Sequence, residues 1–308
     1  MGIYLNPGND LFAQAVNSEI YVDKSMLIRL TNERLNSNDR HLCISRPRRF
    51  GKSMAANMLV AYYSRNCDSK GIFSSLAIAR EPDFEEHLNK YNVIHLDMTR
   101  FASKAPDVKG MIDRLEITLK QELSELCSDI SYPDFYSSDE ILTLIYNKYR
   151  VPFVFIIDEW DCVFRIHKND TEGQTAYLDY LKILLKDRPY VALDYATGIL
   201  PVKKYGQHSA LNMYAEYSMA NQAMFAEFTG FTSDDVAVLC GKFNMPADKM
   251  AEWYDGYKVG EYDVYNPQSV VRAVTARIFD SYWTKTETFE ALQMYIRIDM
   301  DGLRQSVI

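Results

Sequence analysis

Short apolar segments alternate with longer segments of helical character along the amino-terminal part of the chain. The segments with the length of a strand are 41–46 (HLCISR), 91–98 (YNVIHLDM), 151–161 (VPFVFIIDEWD) and 190–198 (YVALDYATG). The third is continuously apolar instead of alternating, which is typical of a strand buried on both faces of a parallel sheet. With helices between the strands, the pattern predicts an α/β fold with a doubly wound parallel sheet flanked by helices.

Helical periodicity is clearest between residues 108 and 126, where apolar side chains recur at spacings of three and four. This stripe consists of Val108, Ile112, Leu115, Leu119, Leu123 and Leu126. Another helix is predicted to begin after Ser137, because Glu140 completes a capping box with it. Leu178, Leu181 and Leu185 mark a third helix.

The pattern changes near residue 205, after which strand signals fade and helical signals dominate. Thr232 is predicted to cap one helix, and Asn266 precedes Pro267 at the start of another. We therefore expect a boundary between 205 and 230. The expected domains are 1–205, an α/β domain, and 206–308, a smaller, mainly helical region of the lid or winged-helix type.

Composition narrows the class of protein. The chain has 308 residues, of which 47% are hydrophobic, and a net charge of −8. It can bury a full core, and its overall charge does not favour nucleic acid or anionic membranes. The five cysteines are widely spaced, and neither a signal peptide nor a membrane-spanning apolar run is visible. These features predict a soluble cytoplasmic protein.

The candidate chemistry begins with SRPRRFGKS at residues 45–53. The phosphate-binding loop G-x-x-x-x-G-K-[ST] fits this stretch, except that Arg46 stands where the first glycine belongs. Gly51 would let the backbone approach a phosphate, Lys52 would reach the terminal phosphates, and Ser53 would offer its hydroxyl to magnesium. A predicted strand precedes the motif and a predicted helix follows it, as a phosphate site at a helix N-terminus requires.

The whole loop is the predicted nucleotide-binding segment. Its residues are Arg46, Pro47, Arg48, Arg49, Phe50, Gly51, Lys52, Ser53 and Met54. Arg48 and Arg49 exceed what one nucleotide needs. One of them could pair with acids of the second domain, such as Asp234, Asp235 or Asp255, or complete the site of a neighbour in a homo-oligomer as an arginine finger. A solvated loop without a role is the alternative.

A second group of candidates follows the apolar strands. Asp158, at the end of FVFIID, is predicted to hold magnesium together with Ser53, and Glu159 to polarise the attacking water. Adjacent acids after a buried strand are costly unless a cation pairs with them, and they could also only cap the next helix. Thr197 ends the next predicted strand, where it could touch the terminal phosphate or serve ordinary turn chemistry.

Taken together, these segments resemble a bacterial family described as AAA-ATPase-like proteins, whose members often carry a C-terminal nuclease domain of the PD-(D/E)xK type. The resemblance spans nearly the whole chain. Its carriers are IYVDKSMLI (20–28), SRPRRFGKS (45–53), FIIDEWD (155–161), ATGILPVKKYGQHSALNMYAEYS (196–218), WYDGY (253–257), VYNPQSVV (264–271) and YWTKTET (282–288). The arginine-rich loop is the usual form in this family.

The resemblance implies a P-loop ATPase that uses ATP and Mg²⁺, with Lys52 and Ser53 as phosphate and magnesium residues and Asp158 as the metal-holding acid. It also implies Glu159 as catalytic acid and Thr197 as a sensor-like residue. We expect slow ATP hydrolysis that controls a fused or partner nuclease, with nucleic acid contacted only indirectly and no membrane. The alternative is a nucleotide-gated switch that hardly hydrolyses ATP. No nuclease motif is visible, and the chain ends about where that domain would begin.

Overall fold

The computed structural model describes residues 2–202, 211–219 and 223–282. Its contacts divide the chain into two units. We call residues 1–44 and 53–216 the sheet unit, and residues 45–52 and 217–308 the carboxy-terminal unit. The stretch that joins β1 to the first long helix, with most of the phosphate-loop motif, is therefore grouped with the carboxy-terminal residues.

The strands are β1 (His41–Ser45), β2 (Asn92–Asp97), β3 (Phe153–Asp158), β4 (Val191–Gly198), β5 (Ala215–Tyr217), β6 (Phe231–Thr232), β7 (Asp255–Val259) and β8 (Tyr262–Tyr265). The α-helices are α1 (Asp10–Val16), α2 (Leu27–Asn32), α3 (Lys52–Tyr63), α4 (Lys70–Phe73), α5 (Phe84–His87), α6 (Met98–Ala102), α7 (Val108–Leu126), α8 (Ser138–Tyr149), α9 (Cys162–Ile166), α10 (Thr171–Leu185), α11 (Ser233–Phe243), α12 (Ala247–Tyr254) and α13 (Pro267–Ala276). Two 3₁₀ helices span Ala77–Arg80 and Ala223–Phe228.

The larger sheet has five strands in the order β2-β3-β4-β1-β5. β2 pairs with β3 in parallel, and β3 pairs with β4 in parallel. Every residue of β1, β3 and β4 is buried, as expected for strands covered on both faces. The expected α/β fold with a parallel sheet and flanking helices is confirmed. Because parallel strands end at the same edge, β3 and β4 bring their last residues together.

The helix signals are largely confirmed. Ser137 and Glu140 form the predicted capping box at α8, and Thr232 forms another with Asp235 at α11. The stripe on α7 differs in detail, since Met111 is buried in place of Ile112, and Leu126 at the end of the helix is exposed.

The carboxy-terminal unit contains a three-stranded antiparallel sheet in the order β6-β8-β7 as well as helices. The sequence analysis predicts the helices α11 and α13 but not these strands. They are short, and the hairpin of β7 and β8 mixes tyrosines with charged residues, so its pattern lacks the long apolar runs of the larger sheet. The division at residues 205 to 206 stays a prediction.

An acid in the middle of β4 is the main departure from a plain apolar strand. Asp194 is fully buried, and its Oδ2 lies 3.1 Å from His41 Nδ1 on the neighbouring strand β1. The ring of His41 in turn lies edge-on to the ring of Tyr214. Burial raises the pKa of Asp194 above its ordinary value, while hydrogen bonds from His41 and Tyr214 act in the opposite direction. Asp194 therefore keeps its place in β4 by pairing across the sheet.

This pair predicts a pH-dependent difference in stability. An acid with a raised pKa in the folded state favours folding while it is protonated, and this contribution is lost as the pH rises through the folded-state pKa. Asp194→Asn keeps the side-chain size but does not titrate. Its melting temperature relative to wild type should therefore rise as the pH increases from about 4 towards neutral. Calorimetric melting of both proteins across this range measures the effect, and a difference that stays constant or falls contradicts it.

Candidate nucleotide-binding site

Two residues of the phosphate-loop motif, Arg49 and Gly51, have positive φ angles. Gly51 has φ +81°, and no atom lies within 4 Å of the place where its Cβ would be. A side chain at Gly51 would thus be disfavoured by the backbone, and the space beside the loop is open. Arg49 also has a positive φ, +70°, which is uncommon for a residue with a side chain. Such conformations are frequent where a loop clamps a ligand.

Arg46, in the place of the first glycine, is completely buried. Its Nε donates to Thr229 Oγ1 at 2.9 Å, and its Nη1 donates to the carbonyl oxygens of Tyr217 at 2.8 Å and Ser45 at 2.9 Å. All of these groups belong to the carboxy-terminal unit. The guanidinium therefore holds the start of the loop to Tyr217 and Thr229. Contact between Arg46 and a nucleotide stays a prediction, and the burial of this side chain among protein acceptors does not favour it.

Phe50 fixes the other end of the loop within the same unit. Its side chain is buried in a cluster with Ala226, Val259 and Val264, and its ring lies edge-on to Tyr257 with centroids 5.1 Å apart. Its carbonyl accepts a hydrogen bond of 2.9 Å from the amide of Gly230. A Cβ at Gly230 would come within 2.3 Å of Val264 Cγ1, so this close approach requires a glycine.

Lys52 follows Gly51 and is the first residue of α3. Its side chain is buried, and its Nζ donates to the carbonyl oxygens of Arg46 at 3.1 Å and Pro47 at 3.2 Å. The ammonium group is thus held against the loop by acceptors at its beginning. The positive end of the helix dipole lies at the same residue, which favours an anion there.

In the sheet unit, the carboxylate of Asp158 gathers three donors. Ser53 Oγ donates to its Oδ2 at 2.5 Å, and Thr197 Oγ1 and the amide of Glu159 donate to its Oδ1, the latter at 3.1 Å. Asp158 and Thr197 are buried, whereas Ser53 is exposed. The structure therefore brings together three of the residues predicted for the site, from the start of α3 and the ends of β3 and β4.

Glu159 is turned into a second cluster. Its backbone has φ +55°, and its carboxylate accepts a hydrogen bond from Arg165 Nη2. Arg165 also approaches Asp161, with Nε 3.4 Å from Oδ2. Asp161 is completely buried and accepts from the amides of Ile199 at 3.1 Å and Leu200 at 2.8 Å. Of the two adjacent acids, Glu159 thus pairs with a cation, Arg165, while Asp161 holds the backbone after β4.

The remaining predicted residues lie around the loop. Pro47 is buried, Arg48 is half-buried, and Arg49 and Met54 are exposed. Asp235, one suggested partner of the arginines, accepts hydrogen bonds from the amide and hydroxyl of Thr232. The roles of Arg48 and Arg49, in their own chain or in a neighbour, stay predictions.

The roles of Arg165 and Thr229 as partners of Glu159 and Arg46 were not predicted from the sequence. A signal for Arg165 was present, because it lies four residues after Asp161 at the start of a helix, a spacing that pairs opposite charges. Thr229 is 183 positions from Arg46, and no local pattern connects them.

The oxygen atoms of Asp158 and Ser53 suit a magnesium ion. A carboxylate and a serine hydroxyl are hard oxygen ligands, and Mg²⁺ is usually bound by one or two carboxylates together with phosphate oxygens and water. In the described part of the chain, there is no cluster of three or more His, Cys, Asp or Glu side chains arranged to hold a metal ion. The oxygen atoms of Ser53 and Asp158 match this ligand chemistry.

Because Arg46 is buried, replacing it with the consensus glycine of the motif should destabilise the protein. Arg46→Gly restores the glycine of the phosphate loop, yet it leaves Thr229 Oγ1 and the Tyr217 carbonyl without this donor and opens a cavity. We expect a loss of about 3 kcal/mol, visible as a lower melting temperature. Arg49→Gly is the matched control, because it relieves a positive φ at an exposed site, and its effect should stay below about 1 kcal/mol. Equal melting temperatures for the two variants would contradict the anchoring role of Arg46.

None of the helices in the described ranges has both the length and the apolar character needed to cross a membrane.

Comparison with known proteins gives a family match, a curated relative and looser overlaps with solved structures. A model of the family described as "Predicted AAA-ATPase" matches residues 11–207. A protein of Azotobacter chroococcum mcd 1, named "Uncharacterized protein in vnfD 5'region", is 25% identical over 255 residues, which cover 80% of this chain and 48% of the relative. The chain thus spans about half the length of this curated relative.

Two solved structures overlap loosely with the chain. AMPPCP-bound DnaA from Aquifex aeolicus gives a TM-score of 0.37 at 13% identity, over 94% of this chain and 70% of the other. The Aeropyrum pernix ORC2 protein, in ADPNP-ADP complexes, gives a TM-score of 0.35 at 12% identity, over 74% and 54%. Overlaps this loose carry no argument about the chain. The family match spans more than half of the sequence and includes the phosphate-loop motif, and the protein therefore belongs to the predicted AAA-ATPase family.

Proposed function

We propose that the protein binds ATP with Mg²⁺ at the loop 45–53 and hydrolyses it slowly. The observation that carries the proposal is the contact between Ser53 and Asp158 at 2.5 Å, with Thr197 on the other carboxylate oxygen. The carboxylate and the hydroxyl in this contact are oxygen ligands of the kind that Mg²⁺ takes, and Ser53 directly follows the motif lysine, Lys52, in the chain. Membership of the family supports the same reading.

The residues of the loop would bind the phosphates. The amides at the start of α3 and the open side of Gly51 offer room and donors for phosphate oxygens. Lys52 is bound to two carbonyl oxygens, and these are weaker partners for an ammonium group than the terminal phosphates of ATP. We expect Lys52 to turn from the carbonyls to the phosphates when ATP binds.

Ser53 and Asp158 would hold the magnesium ion. When bound, the ion neutralises charge on the phosphate oxygens, which is the largest electrostatic demand of phosphoryl transfer. Thr197 keeps the carboxylate of Asp158 in place through its own hydroxyl, so its position favours an orienting role over direct contact with the phosphate. Glu159, next to Asp158, would accept a proton from the attacking water or orient it.

A nucleotide-gated switch with little hydrolysis is the second candidate, and one observation favours it. The carboxylate of Glu159 is paired with Arg165, so in this arrangement the proposed base is engaged by a cation. Such a protein would use ATP binding to position a partner. In both candidates we propose a cytoplasmic protein that controls a fused or partner nuclease, with nucleic acid contacted through that partner.

Lys52 provides the test of ATP binding. Lys52→Ala should weaken ATP binding roughly tenfold to a hundredfold, because it removes a charge-assisted contact with the phosphates. Titration calorimetry measures the affinity, and Lys109→Ala on the exposed side of α7 is the control. If Lys52→Ala and Lys109→Ala bind ATP equally well, the loop is not the nucleotide site.

Glu159 separates the enzyme from the switch. Glu159→Gln should retain ATP binding and lose at least about a hundredfold in kcat, since the amide cannot accept the proton. Phosphate release under saturating ATP measures the rate. Equal and negligible rates in wild type and Glu159→Gln, with ATP still bound, would favour the switch instead of the enzyme.

A further inference from the structure

The pair of Arg165 with Glu159 is not explained by a simple ATPase site. Arg165 lies on α9, and its side chain is 13% exposed, while that of Glu159 is 22% exposed. A guanidinium in this setting donates directly to the carboxylate that hydrolysis would need. The contacts that fix Arg165 therefore also control whether the carboxylate of Glu159 can leave this pair.

Asp161 holds Arg165. Its carboxylate has no exposed surface and is fixed by the amides of Ile199 and Leu200, so it cannot turn away. It stands four residues before Arg165, the spacing at which side chains of one helical turn meet. Burial opposes the charge of Arg165, but the carboxylates of Asp161 and Glu159 outweigh it and raise the pKa of Arg165. The cation therefore stays charged and bound between two acids.

The backbone of Glu159 is fixed as well. Its φ of +55° lies in the left-handed region, which a residue with a side chain adopts only when its surroundings enforce it. Its amide donates to Asp158 Oδ1, its carbonyl oxygen accepts from the amide of Cys162 at 3.0 Å, and its carboxylate pairs with Arg165. The carboxylate is thus directed towards α9 and the guanidinium.

We infer that Arg165 restrains Glu159 and keeps the rate of ATP hydrolysis low. The inference rests on the proposed function and names the residue that regulates it. A carboxylate that is hydrogen-bonded to a guanidinium has its lone pairs engaged and its orientation fixed, so it is not free to turn towards the attacking water. Arg165 is accordingly a positioning residue that acts through Glu159. Opening of the pair frees the base.

Arg165→Gln tests the restraint, because glutamine is polar and of similar reach but carries no charge. We expect kcat for ATP hydrolysis to rise about tenfold, with KM and the ATP affinity from calorimetry unchanged within about twofold. The double variant Arg165→Gln with Glu159→Gln should show no rise, since the gain acts through Glu159. A merely structural loss would not increase kcat.

Arg188→Gln is the matched control. Arg188 also forms a partly buried ion pair in the sheet unit, with Asp139 at 2.7 Å, but it precedes β4 and so lies at the opposite end of that strand from Thr197. Its kcat should equal that of wild type. If Arg165→Gln is not folded by calorimetric melting, Arg165→Lys carries the test, because a single ammonium group cannot serve both acids as well. A kcat above wild type in that variant supports the restraint, and a kcat at or below it overturns the restraint.

The outcomes separate the two proposals. ATP binding in wild type, with kcat in folded Arg165→Gln at or below the wild-type value, overturns the restraint alone. A rise in kcat that persists when Glu159 is also replaced overturns it too. Absence of ATP binding in wild type contradicts the proposed function and, with it, the restraint.

Discussion

The hydrogen bonds to the buried carboxylate of Asp158 hold together the polar residues at the edge of the larger sheet. A buried carboxylate without partners is costly, and Asp158 meets this cost with donors from Ser53, Thr197 and the amide of Glu159. These contacts link the beginning of α3 to the ends of β3 and β4. The same oxygens that hold the edge together are those that a magnesium ion would use, so the structural and the proposed chemical roles of Asp158 coincide.

The loop depends on a different set of contacts. The lost first glycine is replaced by an arginine that does not stay at the surface but bonds to Thr229 and the Tyr217 carbonyl, while Phe50 enters the apolar cluster of the small sheet. The loop is therefore built into the carboxy-terminal unit at both ends. If the loop binds a nucleotide as proposed, a change in the loop on binding would act on that unit directly.

Local signals predicted much of this arrangement. The apolar runs gave the buried parallel strands, and the capping boxes at Ser137 and Thr232 located helix starts because these motifs act within a few residues. The site residues Ser53, Asp158 and Thr197 could be placed at one edge because parallel strands end together. Arg46 with Thr229, and His41 with Asp194, could not be predicted, since these pairs join distant segments and leave no periodic pattern.

If Ser53 and Asp158 are the magnesium ligands of an ATP site, as proposed, the affinity for ATP should depend on Mg²⁺. Calorimetry on wild type should show about tenfold tighter binding with Mg²⁺ than with a chelator, because Ser53 and Asp158 would hold the ion and the ion would offset phosphate charge. Asp158→Asn should lose most of this difference, and Asp134→Asn, at an exposed site, should keep it. If wild type binds ATP equally well with and without Mg²⁺, or if the effect of Mg²⁺ on ATP affinity is as large in Asp158→Asn as in wild type, Asp158 is not a magnesium ligand.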